Sequence, residues 1–441
     1  MRQPDSLSML RALLFRVIIL IALPVALLRP FTGLLIYLCL SFGRVGDFVW
    51  SEYSFDYLIL VACASLIGYL LFEMNQSPIR LRDMIPMLLL WLWLALTSAL
   101  ALDSSLAYPK LWEYSCGFIM ALLTASLVNS ERRVRDVLYV LAISLGVLGL
   151  KGGVDAVLNG FSSTLVGPGG MMSEANEYAL ALNMGIPILW FLAKDQSDQR
   201  IRIAFWIMAA GSACAVIGTR SRSGLLGLAT VGLIMIPFAK RKFLLVGGLV
   251  LVAAGLFMFG PQGALNRYST IATATESDTS AIGRLQAWSA AIKMTKAHPV
   301  FGVGPRNFML AFPEYSDKTP RVTHNAVFAM LSETGIPGCF FFLAMIFSTV
   351  GRMFFLWRRA RRNPAIEHLA TYCQIIMCTL IVYLVPNMFI NRQDFDLMYQ
   401  LVAIGAGLAV VTQRKLATQR AVETATEVTD DTVPLWQRAR A

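Results

Sequence analysis

The sequence predicts an all-α fold, a polytopic bundle of transmembrane helices, on three observations. Of the 441 residues 56% are hydrophobic and only 15% are charged, well below the roughly one quarter charged of ordinary globular domains, and the mean hydropathy is +0.61. Apolar stretches of spanning length recur from the N-terminus to about residue 413, separated by short polar breaks. Lipid offers the backbone no hydrogen-bond partners, so such stretches have to be helices. The basic runs "ERRVR" (131–135), "AKRKF" (239–243) and "WRRARR" (357–362) fall between them, where cytoplasmic loops carry their positive charge.

In chain order, the expected spans lie near 12–28, 30–43, 57–73, 84–102, 111–128, 135–151, 176–193, 203–218, 223–238, 243–259, 337–357, 368–388 and 397–413. Arg29 and Pro30 divide the first apolar run, so residues 12–43 form either a tight pair or one broken helix, and the total is about 12 spans. Arg2, Arg11 and Arg16 before "VIILIALPVALL" resemble a signal sequence, but no convincing cleavage site follows and the segment reads as an uncleaved first helix. With the three basic runs inside, 152–175, 219–222, 260–325 and 389–396 lie on the opposite, outer face. One membrane domain thus covers 1–413, with a large periplasmic loop at 260–325 and a cytoplasmic, polar, disordered tail at 414–441. A loop that long in a compact bundle is usually functional. Within it "GRLQAWSAAIKMTKAHP" (283–299) spaces Leu285, Trp288 and Ile292 as an interfacial helix stopped by Pro299.

The net charge of +11 forms no patch beside a soluble fold, so topology explains it and a nucleic-acid partner is not indicated. Seven cysteines without CxxC spacing lie in or against apolar segments and read as packing residues. No internal repeat suggests the inverted halves of many transporters.

Against this topology, the outer face collects Arg220 and Arg222 in "GTRSRSG", Arg284 in "GRLQAW", Arg306 in "GVGPRNF", Arg321 and His324. Positive charge in short outer loops is disfavoured and needs a reason. A phosphate ligand supplies one, since converging guanidinium forks hold a diphosphate without a metal; snorkelling, or pairing with Glu276, Asp278 or Glu333, is the plainer alternative. His324, with a side chain that titrates near neutrality beside such a diphosphate, suits removal of a proton from an attacking hydroxyl. His298 at a helix end and His368 on the cytoplasmic side compete poorly. "DFD" (394–396) is the rival metal reading, an Asp pair of the kind that holds divalent cations, although hydrogen bonding with Arg392 explains it better. The glycines of "LVGPGGMMSEANE" and "FGVGPRNF" mark tight turns, and helix capping accounts for Asn176 and Glu177.

"HNAVFAMLSETGIPG" resembles the signature of the O-antigen ligase superfamily: His324, Asn325, nine residues, Gly335, two residues, Gly338. "IGRLQAWSAAIKMTKAHPVFGVGPRNF" is similar to the superfamily's periplasmic region, with Arg-x-x-x-Trp (Arg284, Trp288) ahead of a Pro-x-x-Gly-x-Gly turn. "LKGGVDAVLNG", "VGPGGMMSEANEYALAL" and "GTRSRSGLLGLA" resemble the O-glycosylation ligase branch associated with exosortase systems, although that branch commonly reads Ser-Arg-Gly where residues 221–224 read Ser-Arg-Ser-Gly. The resemblance implies an inverting, metal-independent, cofactor-free glycosyltransferase of the GT-C class in the bacterial inner membrane. Its donor is a glycan on undecaprenyl diphosphate, and its acceptor a hydroxyl of lipid A core. Carried over by motif, Arg222 and Arg284 hold the diphosphate and His324 activates the acceptor, with Arg220, Trp288, Arg306, Arg321 and Asn325 as further substrate contacts. A polysaccharide polymerase and a protein O-oligosaccharyltransferase share this architecture. A lipid-linked glycan flippase would instead need charged groups along a transmembrane cavity, which are scarce here.

Overall fold

The computed structural model describes residues 6–45, 56–77, 81–239 and 279–431, and every element in them is helical. The expected span 243–259 and the first part of the 260–325 loop lie outside the described residues. The helices are α1 (Ser6–Leu28), α2 (Pro30–Gly43), α3 (Asp56–Gly68), α4 (Ile85–Ala99), α5 (Ser104–Leu127), α6 (Glu131–Leu158) and α7 (Ala175–Asp195), then α8 (Gln199–Gly218), α9 (Arg222–Met235), α10 (Thr279–Ala297), α11 (Phe308–Tyr315), α12 (Ala326–Ala360), α13 (Leu369–Asn387) and α14 (Asp396–Asp431). Among the described residues, six helical stretches are long and apolar enough to cross a membrane, at 81–99, 131–158, 199–218, 326–360, 369–387 and 396–419, and shorter apolar helices lie at 13–28, 30–43, 57–73 and 222–238.

Local chemistry starts these helices where the chain needs to turn. Side chains of Asp103, Ser130, Asp198, Ser221 and Asn325 accept a backbone N–H in the first turn of α5, α6, α8, α9 and α12, which satisfies donors that a helix start otherwise leaves open. Arg29, at φ −132° and ψ 78°, breaks the first apolar run, and Pro30 opens α2 with its ring already set for a helix. Residues 12–43 are therefore the tight pair. α1 lies parallel to α3, with Phe15 and Tyr57 rings 5.8 Å apart near their starts and the Leu27 backbone against Gly68 near their ends.

The loops sort into two groups. At one end, Arg133 pairs with Glu73, Arg352 with Asp83, His368 and Lys415 with Glu131, and Asn363 with Gln419. These contacts join the segments around the basic runs 131–135 and 357–362. The other end gathers residues 44, 101–103, 159–174, 219–223, 284–325 and 388–396 through the contacts described below. His368 thus sits among the basic runs, as expected from the sequence.

Two elements run further than the sequence suggests. α12 begins at Ala326, eleven residues ahead of the expected span, and bends at Gly335 (φ 72°, ψ −176°) instead of breaking there. α14 continues to Asp431, past residue 413 where the reading begins an unstructured tail; residues 414–431 are rich in good helix formers, and Lys415 and Gln419 anchor their first turns. Over the site end, α10 and α11 form a cap with its own small core of Ala287, Ala290, Ala291, Met294, Val303, Phe308, Ala311 and Phe312. Leu285 and Ile292, expected to mark the helix's apolar face, are exposed on its outer side.

Candidate functional site

His324 closes the cap and precedes α12. Its backbone is left-handed, φ 45°, and the residues on either side are fastened. Thr323 receives the indole N–H of Trp288 on its carbonyl at 2.9 Å, and its hydroxyl donates to Asn391 Oδ1 at 3.2 Å. Asn325 accepts the Val327 and Phe328 N–H groups at 2.9 and 3.0 Å and donates to the Met388 carbonyl at 3.0 Å. Trp288 also packs its ring 5.4 Å from Phe328. Trp288 and Asn325, expected as substrate contacts, hold the backbone on either side of the histidine.

Arg284, one helical turn before Trp288 on α10, lies within electrostatic range of His324. Burial lowers the His324 imidazole below its ordinary 6.5, the Arg284 charge lowers it further, and Glu174 at the start of α7 opposes both. The result is a ring that is neutral at neutral pH. Arg321 joins them: a methyl added at Gly283 would overlap its guanidinium, so that side chain lies over the beginning of α10 next to Arg284.

Arg222 is the first residue of α9, and the flanking serines place it. Ser221 and Ser223 both donate to Asn176 Oδ1, at 2.6 and 3.3 Å, and Asn183 Nδ2 reaches the Gly224 carbonyl at 2.8 Å. The start of α9 is therefore laid along the start of α7, the same helix start that carries Glu174. Arg220, at φ 53°, turns its Nη2 to the Phe161 carbonyl at 2.6 Å and holds the 159–174 loop. Arg306, at φ 63°, sits exposed on a turn tied to the 101–103 loop by Leu102 N–H to the Val303 carbonyl (3.1 Å) and Asp103 N–H to Asn307 Oδ1 (2.8 Å). The contacts of its turn lead to that loop and not to the His324 segment. Glu333, offered as an ion-pair partner for the arginines, faces the backbone N–H groups of Arg306 and Phe308.

Left-handed backbone at a non-glycine residue costs about 1–3 kcal/mol and gathers at functional sites. Among the described residues it occurs at Arg44, Phe161, Arg220, Arg306 and His324, all at this end. Arg44 was not expected. It caps α2 and lies against Gly170; its side of the membrane depended on how residues 12–43 were divided, so the sequence carried no signal for it.

Asn176, Glu177 and the "DFD" stretch also find partners at this end. Asn176 and Glu177 do more than open α7: Glu174 holds the cap position, without a side-chain bond, and Glu177 in the first turn reaches back to the Glu174 backbone N–H, but Asn176 also holds the α9 serines and Glu177 also accepts Arg392 Nε at 2.6 Å. Asp394 of "DFD" accepts Lys110 Nζ at 2.5 Å and lies 3.6 Å from Arg392, which is the hydrogen-bonding role the sequence favoured. Asp396 packs on Gly117. The described residues contain no group of three or more His, Cys, Asp or Glu placed to share a metal ion.

Residues 203–343 match the family model described as O-Antigen ligase, and residues 10–197 match a family of unknown function, DUF5935. No curated protein matches the chain. The first match contains every one of the arginines and the histidine expected at the site; Asn176 and Glu177 fall in the second, and Arg392 lies beyond both.

Proposed function

We propose that this chain, which matches the O-Antigen ligase family model over residues 203–343, is a member of that superfamily: an inverting, metal-independent glycosyltransferase of GT-C architecture with about 12 spans in the bacterial inner membrane. It takes a glycan from undecaprenyl diphosphate and joins it to an acceptor hydroxyl, a sugar of lipid A core, on the periplasmic face. The observation that carries this is a half-buried His324 within electrostatic range of Arg284, where burial and that charge both hold the imidazole pKa down, at the end of the bundle where α9 presents Arg222.

In this reading a ring nitrogen of His324 takes the hydroxyl proton as the acceptor oxygen attacks the anomeric carbon. The bond from that carbon to the diphosphate oxygen breaks, and the electron pair leaves with the diphosphate. Arg284 and Arg222 neutralise the charge that grows there. A leaving group of this kind needs charge stabilisation more than a proton, so guanidinium groups do the work of both a metal and a general acid. Arg321, beside Arg284, extends the cationic surface toward the glycan. A polymerase would use the same chemistry with a second lipid-linked glycan as acceptor.

His324→Ala and Arg284→Ala, purified and supplied with lipid-linked glycan and candidate acceptors, are expected to lose about a hundredfold or more in turnover, with donor consumption and acceptor glycosylation falling together. Normal turnover by His324→Ala removes the base assignment. EDTA should leave the wild type active; loss that Mg²⁺ or Mn²⁺ restores would overturn the metal-independent reading. A flippase would continue to move lipid-linked glycan without His324 and glycosylate nothing.

A further inference from the structure

We infer that Asn176, Glu177 and Arg392 form a strut, buried at Glu177 and half-buried at its two ends, that sets the separation between Arg222 and His324, acting as positioning residues for the proposed transfer reaction, on which this inference rests. Successive residues of a helix point about 100° apart, so the first turn of α7 reaches two neighbours at once. On one side Asn176 Oδ1 takes both Ser221 and Ser223 hydroxyls, the residues before and after Arg222. On the other, Glu177, only 6% exposed, receives the Arg392 guanidinium through Nε and Nη2.

Arg392 is itself fixed. Its N–H donates to Asn387 Oδ1 at 3.1 Å, its carbonyl accepts from Asn387 Nδ2 and Tyr383 at 3.1 and 2.8 Å, and its Nη1 lies beside Asp394. The preceding residue, Asn391, takes the Thr323 hydroxyl, and Met388 in the same loop takes Asn325. An unbroken path of hydrogen bonds and covalent backbone therefore runs from the flanks of Arg222, through the first turn of α7 and the 388–392 loop, to the two neighbours of His324. The residues at its ends would touch substrate. Those in the middle need not, yet any change in their length moves a phosphate-binding cation relative to a base, and displacement of reacting groups by about 1 Å can cost about a hundredfold in rate.

The test uses the full chain in detergent or nanodiscs and compares Glu177→Gln, Arg392→Gln and the E177Q/R392Q double variant. Breaking a buried pair on one side leaves an uncompensated charge, whereas replacing both partners is tolerated better. The double variant is expected to regain the melting temperature that either single variant loses, yet to stay about tenfold or more below wild type in kcat, with donor KM changed far less. Amide exchange should quicken at both 219–224 and 321–327 in Glu177→Gln. If kcat recovers together with melting temperature in the double variant, the pair is only a fold element and the strut is overturned; unchanged exchange at either segment overturns it too. Should both segments loosen in a protein that transfers no glycan in any form, the strut stands and the proposed reaction falls.

Discussion

A histidine that takes a proton at neutral pH has to arrive unprotonated, and the neighbours of His324 pull that balance in opposite directions. Burial and the Arg284 charge keep the ring neutral, while Glu174 favours the imidazolium. Because the folded value lies below 6.5, kcat/KM is expected to be flat around neutrality and to fall only as the pH drops through that lowered value and the ring acquires its proton. Glu174→Gln removes the one influence that raises it, so the acidic limb should move to still lower pH while turnover at neutral pH persists. A limb that stays in place, or moves upward, separates Glu174 from the base. These three residues were legible in very different degrees. His324 and Arg284 stand in recognisable patterns with Asn325 and Trp288, but Glu174 comes from another helix start, and only folding sets its carboxylate across from the ring.

The same contrast holds one level up, where short motifs turn out to be halves of a single contact. The Pro-x-x-Gly-x-Gly turn and the Gly-x-x-Gly pair stand as separate motifs in the sequence. In the structure the turn docks into the bend of α12: Val303 and Gly304 N–H groups donate to the Ser332 and Glu333 carbonyls at 2.9 Å each, and Ile336 N–H donates to the Pro299 carbonyl at 2.8 Å. The bend frees helix groups and the turn satisfies them. A methyl at Gly335 would overlap the Val300 carbonyl, and its φ of 72° disfavours any side chain. Gly335→Ala is therefore expected to cost about 1–3 kcal/mol for the backbone conformation alone, seen as a lower melting temperature in detergent, and to weaken transfer because the same cap carries Arg284 and Trp288. An unchanged melting temperature would show that the cap sits on α12 by other means. Asn176 and Glu177 show why capping explains too little of them. A polar residue at a helix start has a local use that any sequence suggests, whereas their partners lie 45 and 215 residues away.

Across the whole molecule, charge is divided between ends by two different causes. Arg132, Arg133, Arg135, Arg358, Arg359, Arg361 and Arg362 lie in runs at the end joined through Glu131 and Glu73, and runs next to spans are what fixes orientation. At the other end the arginines lie outside such runs: Arg220 is committed to the Phe161 carbonyl, Arg392 to the Glu177 carboxylate, and Arg284 and Arg321 to the space around His324. Counting charge without asking how it is grouped would blur the topology, and α1 makes that plain, since it enters from the site end and carries Arg11 and Arg16 there. The sequence grouped the loops of the later spans into the two ends that the structure shows because their runs are contiguous, and left the first 43 residues open because no such run follows them. The division predicts orientation directly. With the exposed Cys39 and Cys63 replaced by Ala, Ser173→Cys and Lys318→Cys, both exposed at the site end, should react with a membrane-impermeant maleimide added outside spheroplasts. Glu367→Cys and Thr418→Cys, exposed at the basic end, should react only after the membrane is opened. The reverse pattern would put His324 and its arginines in the cytoplasm, where a periplasmic acceptor never meets them, and the proposed reaction would have to be abandoned however well the side chains converge.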